Sequence, residues 1–208
     1  NHLTEQIGSE LLTLYPNANI LVAEKRDFEK DRRRLFCSRI ATGNYDIVIL
    51  GHSQFTRLPL SDERQQQFLR DEIEQFTEVI NAAKKERTGQ ELSVKQLERA
   101  KKSLESRLEK LMDAPKDDAV TFEELGVDSL MVDEAHQFKN LAVQTKMQNV
   151  SGITTAESRK ATDLLMKCQY LDEITGGKGV VFCTGTPISN SAAELYTMMR
   201  YIQADTLR

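Results

Sequence analysis

Short apolar runs alternate along most of the chain with longer segments in which apolar residues recur at helical spacing. A continuous apolar run bounded by turn residues is typical of a strand covered on both faces, and a 3.6-residue period is typical of a helix. The predicted strands are residues 19–23, 46–50, 128–132 and 179–183. The predicted helices are residues 3–15, 28–40, 160–174 and a last helix beginning near 191. This alternation predicts an α/β fold with a mainly parallel sheet.

Residues 61–118 interrupt the alternation. Two apolar stripes flank a break at Thr88-Gly89-Gln90, formed by Leu69, Ile73, Phe76, Ile80 and Ala83 and by Val94, Leu97, Leu104, Leu108 and Leu111. Two amphipathic helices joined by a short Gly-containing turn predict an antiparallel helical hairpin. We interpret it as an insertion at 61–118 into a domain formed by residues 1–60 and 119–208. Its charged faces are either a solvated spur or a surface for DNA, a neighbouring domain or a partner protein.

Composition narrows the class of protein. With 208 residues, 39% hydrophobic and 29% charged, the chain is long enough for one good core. No window approaches the roughly 20 apolar residues of a membrane span, and the first residues lack the features of a signal peptide. The net charge of −4 does not favour a nucleic-acid binder, although basic residues are concentrated between Lys25 and Arg39. The chain has no initial Met and looks like a piece of a longer protein.

The three cysteines form no CxxC pair and have no histidine nearby at the spacing of metal ligands. Cys168 and Cys183 lie in apolar runs, so we expect both to be reduced residues of the core. Reduced cysteines are usual in the cytoplasm, which is the compartment that we predict.

An acidic motif follows the third predicted strand. Asp133-Glu134-Ala135-His136 comes directly after the apolar residues Leu130-Met131-Val132. Ligands of open parallel sheets bind at the carboxyl ends of the strands. Paired carboxylates there suit ATP hydrolysis, because one can hold a hydrated Mg²⁺ while its neighbour polarises the attacking water.

A second motif follows the fourth predicted strand. Thr184-Gly185-Thr186-Pro187 has the small and hydroxyl residues of a tight strand-to-helix turn, and Asn190 or Ser191 can cap the next helix. By itself this pattern indicates only a capped turn. Beside the acidic motif, we interpret it as part of the same nucleotide cleft.

These motifs resemble those of a known family. Val132–Asn140 (VDEAHQFKN), a DEAH box, resembles motif II of superfamily 2 helicases as found in Swi/Snf-like ATPases, and Thr184–Ser191 (TGTPISNS) with Glu194-Leu195-Tyr196 resembles motif III. Asn1-His2-Leu3 resembles the end of motif Ia, and Gly51–Phe55 (GHSQF) occupies the place of motif Ib. The resemblance covers nearly the whole chain except the hairpin. It is greatest to the helicase regions of large helicase/N6-adenine DNA methylase proteins of phages and mobile elements.

The resemblance implies a RecA-like lobe 1 that works with ATP and Mg²⁺ on duplex DNA. Asp133 would bind Mg²⁺, Glu134 would be the catalytic base, and His136 and Gln137 would couple nucleotide state to the second lobe. The turn Thr184-Gly185-Thr186-Pro187 would link hydrolysis to DNA contact. The residues expected near the nucleic-acid backbone are His2, His52, Ser53 and Asn190. Expected partners are DNA, the remaining lobe of the same polypeptide and a possible methylase domain in it.

Two departures from the family pattern matter. The phosphate-binding loop of motif I is absent, since Gly176-Gly177-Lys178-Gly179 lacks a hydroxyl residue after the lysine and precedes a strand. The second lobe is absent as well. We therefore expect this piece to bind no nucleotide and to be inactive alone. The alternatives are a degenerate helicase lobe that serves as a non-catalytic scaffold for DNA or protein, and an unrelated metal-dependent hydrolase using Asp133, Glu134 and His136. The residues do not distinguish DNA from RNA, or unwinding from translocation.

Overall fold

The structure, a computed structural model, describes residues 2–29, 32–85, 91–113, 120–142, 158–189 and 191–207. The helices in this part are α1 (His2–Leu14), α2 (Arg33–Thr42), α3 (His52–Phe55), α4 (Asp62–Lys85), α5 (Glu91–Asp113), α6 (Arg159–Thr175) and α7 (Ala193–Ile202). The strands are β1 (Ile20–Val22), β2 (Ile47–Ile49), β3 (Leu130–Val132) and β4 (Val180–Phe182). Short 3₁₀ helices are Lys25–Phe28, Glu123–Leu125, Ala135–Phe138 and Ala204–Leu207. The α/β class predicted from the sequence is thereby confirmed.

The chain forms two compact units. The first comprises Asn1–Ser61 and Asp117–Val127, and the second comprises Asp62–Lys116 and Asp128–Arg208. Within the described residues the four strands form two parallel pairs, β1 with β2 in the first unit and β3 with β4 in the second. The prediction of parallel pairing is confirmed. A single RecA-like sheet stays a prediction.

In the first unit, helix α1 lies close against the β1–β2 pair. A Cβ added to Gly8 would be 2.9 Å from Cγ2 of Val22, which is closer than real side chains approach. Glycine therefore allows the helix to contact the strand at this point. The aromatic rings of Phe28 and Phe36, with centroids 5.2 Å apart, fill the interior of this unit.

The helix predicted at 28–40 is shorter in the structure, because local hydrogen bonds form a separate turn before it. Residues Lys25–Phe28 are a 3₁₀ helix, and the Glu24 amide donates to Oδ2 of Asp27 at 2.7 Å. The chain is extended at Glu29, and α2 begins only at Arg33.

In the second unit, the β3–β4 pair has one covered and one open face. Val132 is buried on the covered face, whereas Met131 is 75% exposed and Val181, which pairs with it on β4, is 45% exposed. The prediction that these strands are covered on both faces is therefore wrong for this pair. Cys183 lies beyond Val181 and is exposed, so its prediction as a core residue is wrong, while Cys168 is fully buried as predicted.

The two helices predicted for the central stretch are present as α4 and α5. They pack through a cluster of buried apolar residues, Leu69, Phe76, Ile80, Leu97 and Leu104, drawn from the two predicted stripes. Lys84, near the end of α4, and Glu98 of α5 form an ion pair at 2.7 Å. The predicted turn at Thr88-Gly89-Gln90 lies outside the described residues. Among the described helices, none has both the length and the apolar character to cross a membrane.

Helix α6 lies at the centre of the second unit. Its N-cap is Ser158, whose hydroxyl accepts a hydrogen bond from the Ala161 amide at 3.4 Å, and it ends at Gly176 with φ of 65°. Its buried face includes Leu164, Cys168 and Leu171, each 0% exposed. The helix packs against β4 and the 3₁₀ helix Ala135–Phe138, which belong to the candidate site.

Candidate functional site

The two motifs singled out in the sequence follow neighbouring strands. Strand β3 pairs in parallel with β4, so that Val132 lies opposite Phe182. The pairing continues past the strands, because the Cys183 amide donates to Val132 O at 2.8 Å and the Ala135 amide donates to Cys183 O at 3.0 Å. Residues 133–136 and 184–187 therefore leave the same edge of this sheet side by side.

His136 connects the two motifs. Its Nδ1 is 3.2 Å from Oγ1 of Thr184 and also 3.2 Å from Oε2 of Glu134. A carboxylate only accepts hydrogen bonds, so the contact with Glu134 requires a proton on Nδ1. The imidazole side chain is one-third exposed and lies at the start of the 3₁₀ helix Ala135–Phe138.

Glu134 has an unusual backbone. Its φ of 51° and ψ of 42° place it in the left-handed region, and it is the only non-glycine residue with positive φ in the described part of the chain. The preceding side chain supports this turn, since Oδ1 of Asp133 accepts a hydrogen bond from the Glu134 amide at 2.9 Å. Non-glycine residues in this region cost on the order of 1–3 kcal/mol and cluster at functional sites.

The strain at this position gives a testable expectation. Replacing Glu134 by Gly should raise the free energy of unfolding by about 1 kcal/mol, because glycine adopts positive φ without a steric penalty. The midpoint of urea-induced unfolding measures the effect. The matched control is Glu78→Gly, at an exposed position within α4, which should lower stability by about 0.5–1 kcal/mol. A loss of stability in both variants would contradict the interpretation of strain.

The turn after β4 is held by its own first residue. Oγ1 of Thr184 accepts a hydrogen bond from the Thr186 amide at 3.1 Å. Thr184 is half-buried, whereas Gly185, Thr186 and Pro187 are exposed. The turn therefore presents its backbone and its second threonine to solvent beside the acidic motif.

Gln137 is exposed and contacts a lysine from helix α6. Lys160 donates from Nζ to Oε1 of Gln137 at 3.2 Å, and the same Nζ lies 4.2 Å from the ring centroid of Phe138. Burial lowers the pKa of the Lys160 amine. The ammonium group over an aromatic face is a cation–π contact. It connects α6 to the residues that follow the carboxylates.

Tyr201 of helix α7 contacts the segment that follows the carboxylates and the end of β4. Its ring packs on Phe182 with centroids 5.3 Å apart, and its side chain is almost fully buried. The hydroxyl lies within hydrogen-bond distance of two backbone oxygens, Phe138 O at 2.9 Å and Ala161 O at 3.2 Å. Burial raises the pKa of this hydroxyl far above its ordinary value, so the group stays protonated and can donate.

Three of the four residues expected near nucleic acid lie in the first unit and not beside the two motifs. His52 and Ser53 begin helix α3 after β2 in the first unit, with His52 half-buried and Ser53 exposed. Gln54 ties this turn to the end of β1, because its Oε1 accepts from the Gly51 amide at 2.7 Å and its Nε2 donates to Glu24 O at 2.9 Å. His2 begins helix α1. Asn190 lies outside the described residues.

A resident metal would have few protein ligands here. The described residues contain no group of three or more His, Cys, Asp or Glu side chains that could enclose an ion. Asp133 is an exposed carboxylate at a strand end. Mg²⁺ usually keeps several waters and binds one or two carboxylates together with substrate phosphates. Asp133, as a single exposed carboxylate, fits that mode.

Comparison with known proteins defines the class. The sequence model of the family described as "Probable helicase domain" matches residues 2–208, so the chain belongs to this family. The chain is also similar to the "Defense against restriction protein B" of Escherichia phage P1, with 26% identity over 165 residues. That match covers 78% of this chain and 7% of the phage protein, so the chain spans a small part of that relative's length. No solved structure matches the chain.

Several residues at this site were not singled out as functional from the sequence: Lys139, Lys160, Ser189, Glu194 and Tyr201. Lys139 and Glu194 lie within the stretches quoted for the motif resemblance, but their charges indicate solvated positions. Lys160 and Tyr201 are far in sequence from the acidic motif. Periodicity alone gives no signal for either contact.

Proposed function

We propose that this chain is the first nucleotide-binding lobe, RecA-like in fold, of an ATP-dependent DNA helicase or translocase of the Swi/Snf-like type. The observation that supports the proposal best is the parallel pairing of β3 with β4, which brings the Asp133-Glu134 carboxylates beside the Thr184 turn. Family membership supports the helicase class and, with it, an interaction with nucleic acid. The motif residues themselves support the finer assignment.

In this proposal the carboxylates divide the chemistry. Mg²⁺ bound with ATP would neutralise charge on the phosphates. Asp133 would hold that ion directly or through water. Glu134 would accept the proton of the attacking water, and the His136 imidazole, 3.2 Å from its Oε2, would orient the carboxylate. The side chain of Glu134 is half exposed, so water reaches it from solvent.

His136 would also carry the coupling. Its Nδ1 is equally distant from Oε2 of Glu134 and Oγ1 of Thr184, so a proton on Nδ1 can be shared between them or donated to either. A change at Glu134 during hydrolysis would alter the hydrogen bond to Thr184 and so reach the turn at 184–187. Gln137, fixed by Lys160, would present its amide toward the second lobe.

The proposal requires further components that these residues do not supply. The phosphate-binding loop and second lobe would lie elsewhere in the polypeptide, and this piece would be inactive without them. His52 and Ser53, together with His2 and Asn190, would contact the DNA backbone. The sequence resemblance is the basis for proposing a methylase domain in the same polypeptide.

The direct test uses the full-length protein. ATP hydrolysis should be stimulated by duplex DNA, and the DNA concentration needed for half-stimulation should rise steeply with salt because backbone contacts release counterions. For six to ten phosphate contacts, affinity falls by about 10³–10⁵ between 50 and 200 mM salt. Single-stranded DNA and RNA serve as comparison ligands. A protein that hydrolyses no ATP with any of them would contradict the proposal, and stimulation by RNA alone would reassign the substrate.

A further inference from the structure

A buried carboxylate joins the two motif-bearing segments at a second place. Glu194 lies in the first turn of helix α7 and its side chain is 2% exposed. Its Oε1 is 3.0 Å from Nζ of Lys139, and its Oε2 accepts a hydrogen bond from the Ser189 amide at 2.6 Å. Nζ of Lys139 also donates to Oγ of Ser189 at 3.1 Å. We call these three contacts, which connect Glu194, Lys139 and Ser189 to one another, the Glu194 bridge.

The position of the bridge relates it to the candidate site. Lys139 directly follows the 3₁₀ helix Ala135–Phe138, which carries His136. Ser189 lies two residues beyond Pro187, which is the last residue of the Thr184 turn at 184–187. The two segments that diverge from the strand ends are therefore joined twice, at one point by His136 and Thr184 and at another by the Glu194 bridge.

Helix stability alone does not explain this burial. A glutamate in the first turn interacts favourably with the helix dipole while remaining in water. Moving the carboxylate and an ammonium group out of water costs free energy, which the interaction between them recovers only with good geometry and further hydrogen bonds. The bridge meets that condition because both carboxylate oxygens have a partner. Such an arrangement fixes the relative position of its three segments.

We propose that Glu194 is a positioning residue for ATP hydrolysis and its coupling to DNA. It holds the turn at 184–187 at a set distance from the segment that bears Asp133 and Glu134. The contact between His136 and Thr184 can then form and break without a change in the relative position of the two segments. It contacts no reacting atom. This inference rests on the proposed function.

The test compares Glu194→Gln, Lys139→Met and the double variant in the full-length protein. In Glu194→Gln the amide oxygen can still accept from Ser189, but the amide nitrogen faces Lys139 as a second donor. We expect kcat for DNA-stimulated hydrolysis to fall about tenfold in each single variant, within the range for residues that link sites. KM for ATP and the Kd of a fluorescent ADP analogue should change by less than about twofold, because nucleotide contacts remain.

The double variant and two further variants separate positioning from general destabilisation. The kcat of the double variant should be no lower than that of the less active single variant, because Glu194 and Lys139 act as one unit. Lys139→Arg keeps the charge and should restore most of the DNA stimulation. Glu173→Gln is the matched control, since Glu173 is the exposed partner, at 61%, of the ion pair with Arg64 in the same unit, and its loss should leave the stimulation unchanged.

The outcomes distinguish the two proposals. If Glu134→Gln is inactive while folded Glu194→Gln and Lys139→Met keep the wild-type stimulation, the positioning role is wrong and the proposed function stands. If wild-type protein shows no stimulation, both are wrong. Should Glu194→Gln fail to fold, Lys139→Met decides alone, because its side chain is already one-fifth exposed. Equal loss in Glu173→Gln would also overturn the inference.

Discussion

Replacing Glu134 by Gln in the full-length protein should lower kcat for DNA-stimulated ATP hydrolysis by about 10²–10⁴, the usual contribution of a general base. The amide has nearly the same shape as the carboxylate but cannot take a proton from water. Glu134 has a left-handed backbone, and glutamine faces the same steric cost there as glutamate, so we expect the comparison to isolate the chemistry. Single-turnover hydrolysis measures the effect, with nucleotide affinity determined in parallel.

Glu78→Gln is the matched control, because Glu78 is an exposed acid on helix α4, in the hairpin and away from both motifs in sequence. It should hydrolyse ATP at the wild-type rate. Nucleotide affinity should be nearly unchanged in Glu134→Gln, since the role proposed for this residue is on water and not on phosphate. Full activity in Glu134→Gln would exclude the residue as the base.

Replacing Tyr201 by Ala should destabilise the second unit by about 3–5 kcal/mol, the usual cost of removing a buried aromatic ring. The ring packs on Phe182, the last residue of β4, and the hydroxyl contacts the backbone oxygens of Phe138 and of Ala161 in helix α6. Tyr201→Phe should retain the packing and lose about 1–3 kcal/mol, because buried carbonyl groups lose a donor. Urea-induced unfolding of this chain, followed by circular dichroism, measures both.

The neighbouring residue provides the control for Tyr201. Ile202 is on the same helix and is 38% exposed, so Ile202→Ala should cost well under half as much as Tyr201→Ala. Comparable losses at the two positions would mean that α7 contributes through its helical structure and not through the buried ring.

The sequence predicts the helices of the hairpin well because the apolar spacing that defines them is local. Leu69, Phe76 and Leu104 lie in the predicted stripes and in the observed cluster. Strands are located correctly for the same reason. The burial of the strands is not predicted correctly, because Met131 and Val181 are apolar, as covered residues usually are, and yet are exposed. Periodicity identifies which side chains avoid water, and only the packing of neighbouring elements decides which are covered.

The candidate site divides in a similar way. The parallel pairing that places Asp133 near Thr184 follows from strand order and strand ends, which the sequence indicates. The contacts of Glu194, Lys139 and Lys160 depend on helices distant in sequence, and a charge gives no sign that it will be buried. Glu194 would be expected as an ordinary first-turn glutamate in solvent. Its 2% exposure results from the tertiary fold.

The buried tyrosine beside the site also joins two segments that are far apart in the sequence. Its hydroxyl lies within hydrogen-bond distance of Phe138 O, shortly after the residues that carry the carboxylates, and of Ala161 O in helix α6. Because one group contacts both backbone oxygens, a displacement of either segment strains the same side chain.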